Sequence, residues 1–142
     1  MGPSRLYRLL SHRAIFWSYA LIWTLLLLVP EPEKLIFQDL LPPEITSPKG
    51  HWDKLVHGAG YLGLFVLATV TYASGPAWLP RFWVFAACVA HGALTEIGQL
   101  AVPSRKADML DWLADVAGIL VGLCLLMVLR TFQRGPEHQP SD

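Results

Sequence analysis

The chain has 142 residues, no formal net charge, 54% hydrophobic residues and only 15% charged ones. Soluble domains carry about 25% charged residues, so this composition, with a mean hydropathy of +0.41, points to a membrane protein of a single domain, residues 1–142. Zero net charge gives no electrostatic reason to expect a nucleic-acid partner. The two cysteines, Cys88 and Cys124, fall inside apolar runs and read as free, buried thiols, without a disulfide framework or metal-ligand spacing.

In chain order, Arg5, Arg8 and Arg13 precede the first apolar run, Ala14 to Val29. They look like the charged region of a signal peptide, but the run is long, ends in Pro30-Glu31-Pro32 and has no small-residue cleavage site, so it reads as a retained membrane helix. Four apolar stretches, at about 14–30, 54–73, 82–102 and 109–131, approach the roughly 20 residues that cross a bilayer as a helix. The expected fold class is therefore all-α, an integral membrane four-helix bundle. Residues 31–53 read as an irregular acidic loop with Pro32, Pro42, Pro43 and Pro48, and with a short interfacial element at Leu35–Leu41. Ser74-Gly75-Pro76 through Arg81 is a turn-like connection, and Pro103 to Asp108 a tight polar hairpin. The tail from 133 to 142 is polar and expected to be disordered.

Lys and Arg placement sets orientation. The three arginines before the first helix favour cytoplasmic termini, with Trp17, Trp78 and Trp83 near one interface and Trp52 and Trp112 near the other. The expected location is the bacterial cytoplasmic (inner) membrane, both termini inside, with membrane lipids as partners and no nucleic acid.

The polar residues inside these apolar helices are patterned. Helical neighbours lie three and four residues apart. Asp53, His57 and Tyr61 thus stack on one stripe of the second helix, Glu96 and Gln99 share a face of the third, and Asp108, Asp111, Asp115, Gly118 and Gly122 form one stripe leading into the fourth. Alternating chain direction brings the start of helix two, the end of helix three and the start of helix four to the same surface. Three polar stripes are expected to converge there, in a pocket opening outward.

Several of these residues have structural work available. Asp53 and Asp108 can cap helices, and Asp111 can complement the positive end of its helix. His57 can be a structural hydrogen-bonder, Tyr61 a packing residue with a polar tip, and Gln99 glue between helices. Gly118 and Gly122 suit close helix packing, and Arg105 and Lys106 suit loop or headgroup contacts. His91, deeper in helix three, suits an interhelical hydrogen bond. Glu96 and Asp115 lie inside apolar helices without capping duty. An unpaired charge there costs roughly 2.5–3.5 kcal/mol on insertion scales, so each needs a partner, with His57, Lys54 and Arg105 as candidates.

Asp53-Lys54-x-x-His57-x-x-x-Tyr61, Glu96-x-x-Gln99, Arg105-x-x-Asp108-x-x-Asp111 and the Gly118/Gly122 pair, in this order, resemble the VanZ-like family of small integral membrane proteins. The resemblance spans residues 52–125. The family usually has Asn where this chain has Asp115, an added acidic group. The family is named for a protein associated with teicoplanin resistance, so the resemblance implies a membrane location and a tie to glycopeptide resistance without implying a reaction.

Two functions follow as expectations. In one, Asp53, Lys54, Tyr61, Gln99, Arg105, Asp108, Asp111 and Asp115 line a site that binds a cell-envelope component. In the other, His57 and Glu96 act as acid and base on a lipid-linked or phosphorylated envelope substrate. A divalent cation is the candidate cofactor, with His57, Glu96, Asp111 and Asp115 as its candidate ligands; oxygen ligands suit magnesium, calcium or manganese, and the histidine admits zinc. A proton pathway is the weaker reading, because only His91 continues the ionisable groups inward.

Overall fold

A computed structural model describes residues 3–30, 52–73, 77–103 and 107–133, with side chains from residue 12 onward. The acidic loop with its Leu35–Leu41 element, most of the polar hairpin including Arg105 and Lys106, and the tail beyond Gln133 lie outside the described residues. Among the described residues the chain is all-helical: α1 (Pro3–Leu28), α2 (Trp52–Tyr72), α3 (Leu79–Gln99) and α4 (Met109–Gln133).

The apolar pattern locates each helix, while local chemistry sets its ends. Helix α1 begins at Pro3, eleven residues before the expected start at 14. The apolar run marks only the stretch suited to lipid; the polar turns before it also favour helix, and Pro in the first turn is pre-organised for it. Pro30 then disfavours helical geometry in the residue before it. Helix α3 likewise starts early, at Leu79, with Pro80 in its first turn, and gives way beyond Gln99 to turns closed by Leu100 N–H on Ile97 O and Ala101 N–H on Gly98 O.

Two helices, Trp52–Tyr72 and Met109–Phe132, are long and apolar enough to cross a membrane. Helix α1 adds the apolar stretch His12–Leu28, and α3 carries Arg81, His91 and Glu96.

Helices α2 and α4 pack closest. A Cβ on Gly118 would sit 1.9 Å from the carbonyl oxygen of Gly58, so the two backbones touch where both residues lack side chains. One turn on, Gly122 faces Phe65. Helix α1 crosses α2 at another glycine, Gly60, whose absent Cβ leaves room for the Trp23 indole; beside it the Tyr19 hydroxyl donates to Gly60 O at 2.9 Å.

The apolar core joins Trp23, Leu27, Tyr61, Phe65, Cys88 and Ile119 from all four helices. Around it the usual arrangement is inverted. His57, Thr95, Glu96, Gln99, Asp111 and Asp115 are buried between helices, whereas Trp17, Leu21, Val121, Leu125, Met127 and Phe132 face outward. Cys88 is buried, but Cys124 is exposed on the outer face of α4; membership of an apolar run does not say which side of a helix a residue takes.

Candidate functional site

The three polar stripes meet. Helices α2 and α4 begin, and α3 ends, at the same end of the bundle, and their polar side chains stack from the surface inward. At the mouth, Lys54 Nζ donates to Asp108 Oδ2 at 3.1 Å and to Asp111 Oδ1 at 2.8 Å. The Lys54 and Asp108 side chains are 30% and 43% exposed, while that of Asp111 is only 6% exposed, so the ammonium bridges the rim to a buried carboxylate.

Asp108 does two jobs. Its Oδ1 accepts the backbone N–H of Leu110 at 2.8 Å, capping α4, and Oδ2 takes Lys54. The Leu110 N–H and the Lys54 ammonium hold its carboxyl below the usual range against the opposing effect of partial burial. Asp53 lies within the first turn of α2, where its charge complements the helix dipole.

Beneath this rim is a closed layer. The Nδ1–H of His57 donates to Asp115 Oδ1 at 2.9 Å, with both residues essentially inaccessible. Glu96, 6% exposed, uses Oε2 to accept the backbone N–H of Asp108 at 2.9 Å, tying the end of α3 to the start of α4. One polar atom on each residue is left over: His57 Nε2, Glu96 Oε1 and Asp115 Oδ2 are buried and find no hydrogen-bond partner among the described residues. The three residues each offer a donor atom, and these atoms lie within 4.8 Å of one another. Asp53, His57 and Asp111 form a second such group, sharing the histidine. Gly92 completes the wall, because a Cβ there would lie 3.0 Å from Asp115 Oδ2.

The candidate partners thus divide. Asp115 takes His57, Lys54 goes to Asp108 and Asp111, and Glu96 relies on a backbone N–H. Gln99 is fully buried and donates from Nε2 to Leu27 O at 3.0 Å, joining α3 to α1.

Tyr61 and His91 belong to a different network, one layer deeper. The Thr24 hydroxyl donates to Ala20 O at 2.7 Å, so it accepts from His91 Nε2–H at 2.9 Å. His91 Nδ1 then accepts the Tyr61 hydroxyl at 2.8 Å, and Thr95 Oγ1 lies 3.1 Å from the same tyrosine oxygen. This network ties α1, α2 and α3 together through a neutral imidazole of one tautomer. The polar stripes of the sequence do not include Thr24 or Thr95. The spacing of four between His91 and Thr95 marks the second, but Thr24 carries no signal beyond its place in an apolar run.

The chain matches no family model, no curated protein and no solved structure.

Proposed function

We propose that this chain is a VanZ-like integral membrane protein of the bacterial cytoplasmic membrane. Its four helices form a membrane bundle, both termini are cytoplasmic, and the His57 end faces outside. There it binds a cell-envelope component and contributes to glycopeptide resistance. The observation that carries the reading is the inverted distribution of polarity. An outward face made of Trp17, Leu21, Val121 and Phe132 suits lipid rather than water, and ionisable groups gathered between apolar helices mark a functional centre. The two span-length helices α2 and α4 supply both the closest helix pair and the His57–Asp115 contact. Helix α1 and the more polar α3 pack against them.

The test has two arms. Carbonate-resistant membrane fractionation, with reporters fused at Gly75 and at the C-terminus, checks insertion and orientation; reporters found outside the cell overturn it. Teicoplanin susceptibility of a sensitive bacterium is then measured with the wild-type chain and with Glu96→Gln and Asp115→Asn. Protection by wild type and its loss in the variants, at equal membrane abundance, supports the reading. No protection by wild type refutes the resistance role.

A second reading has its own observation. Asp115 holds His57 by Nδ1 and leaves Nε2 without a partner, the way an imidazole is oriented for acid–base work. On a lipid-linked or phosphorylated envelope substrate, His57 would exchange the proton, Asp115 would orient it, and Glu96 would be the second acid–base group. His57→Gln, which keeps hydrogen bonding but does not titrate, separates the readings: binding survives it and catalysis does not.

A further inference from the structure

We infer that His57, Glu96 and Asp115 form a binding site for one divalent transition-metal ion of the zinc class. The inference rests on this donor set and stands apart from the envelope role: a metal-free centre would leave the binding reading intact.

Three observations converge. First, one imidazole and two carboxylates, each more than nine-tenths buried, present donor atoms within 4.8 Å of one another. Zinc binds nitrogen and oxygen at about 2.0–2.2 Å, which spaces tetrahedral ligand atoms about 3.4 Å apart, so side-chain movements of no more than about 1.5 Å close the site. Second, each residue keeps one buried polar atom without a partner: His57 Nε2, Glu96 Oε1 and Asp115 Oδ2. Buried polar atoms are normally satisfied, and three orphans in one cluster call for a shared ligand that accepts lone pairs. A cation does so, whereas an anion would face two carboxylates. Third, the neighbouring positive charge is already committed. Lys54 is spent on Asp108 and Asp111, so among the described residues the inner carboxylates have only His57 beside them.

The same facts choose between the two overlapping donor groups. Asp111, in the group with Asp53, is engaged at 2.8 Å by the Lys54 ammonium, which competes directly with a metal. Glu96 is braced from outside the centre instead: its Oε2 holds the Asp108 N–H, an outer contact of the kind that orients a ligating carboxylate. The imidazole turns the preference from magnesium and calcium toward zinc and its neighbours. With three protein ligands, a fourth position is left for a water molecule.

The full chain, purified in detergent and stripped with a chelator, is titrated with Zn²⁺, with Mg²⁺ as the parallel probe, and Co²⁺ absorption reads the coordination. The expected result is about one Zn²⁺ per chain, no competition from Mg²⁺, and a Co²⁺ spectrum of nitrogen and oxygen ligands without a thiolate band. Glu96→Gln and Asp115→Asn should each weaken Zn²⁺ binding roughly tenfold or more, while Asp53→Asn leaves it unchanged. Absence of Zn²⁺ binding by the wild-type chain overturns the inference. So does a thiolate band, which would move the ion to Cys88 or Cys124, or a loss confined to Asp53→Asn. The wild-type stoichiometry and Co²⁺ spectrum need no substitution, so a variant that misfolds does not shield the inference.

Discussion

Gly118→Ala should loosen the bundle and open the site together. A Cβ at Gly118 would lie 1.9 Å from the Gly58 carbonyl oxygen, 2.7 Å from its carbonyl carbon and 2.9 Å from its Cα. All three are backbone atoms, so no rotamer change relieves the clash. Restoring an ordinary contact of about 3.4 Å requires α2 and α4 to part by about 1.5 Å, and overpacking of this kind costs about 1–3 kcal/mol. Gly118 lies one turn beyond Asp115, and Gly58 follows His57 directly. The same separation stretches the 2.9 Å His57–Asp115 contact past hydrogen-bonding range. Gly122→Ala is the control, because its Cβ would meet Phe65 Cδ1 at 3.1 Å, and a shift of about 0.3 Å restores ordinary contact at a cost under about 1 kcal/mol. Thermal unfolding of the purified chain in detergent is the assay, at roughly 3–4 °C per kcal/mol for a chain of this size. Gly118→Ala is expected to lower Tm by about 3–12 °C and Gly122→Ala by less than about 4 °C. Equal Tm values for wild type and Gly118→Ala would refute the backbone contact and the helix pairing built on it.

Three further outcomes are expected. Tyr61→Phe strips a hydroxyl from His91 and Thr95 and should cost about 1–3 kcal/mol in the same unfolding assay. It should leave His57 in place, read from its imidazole NMR signals. Lys54→Met leaves the buried Asp111 carboxylate without its ammonium and should cost about 3 kcal/mol, while Lys54→Met with Asp111→Asn recovers part of the loss; a double variant no better than the single one refutes the pairing. Asp108 has a depressed folded-state pKa, so its stabilisation is present above the unfolded carboxylate value, about 3.9, and fades as pH falls through the lower folded one. The Tm gap between wild type and Asp108→Ala should therefore be full near neutrality and shrink below about pH 4; a gap that widens in acid contradicts the capping role.

Much of this architecture is legible in the residues themselves. Four apolar runs of near-span length set the number and order of the described helices. Offsets of three and four put Asp53 with His57, Glu96 with Gln99, and Asp111 with Asp115 on common faces, because the 3.6-residue turn of a helix is a local property. Alternating direction then brings the three stripes to one end. The sequence likewise marks Glu96 and Asp115 as residues needing partners. It is silent on which partner each takes, because periodicity says nothing of how far each helix is rotated about its axis or how near its neighbour comes. The tertiary structure decides both. Direct backbone contact of Gly58 with Gly118 draws α2 against α4 and hands His57 to Asp115. Lys54 is thereby committed to the rim, Glu96 to a backbone N–H, Tyr61 to His91 in the layer below, and Cys124 to the outer face. The unsatisfied atoms of the inner layer also appear only at this level, since whether a buried polar group is satisfied depends on neighbours that the chain brings together from far apart in sequence.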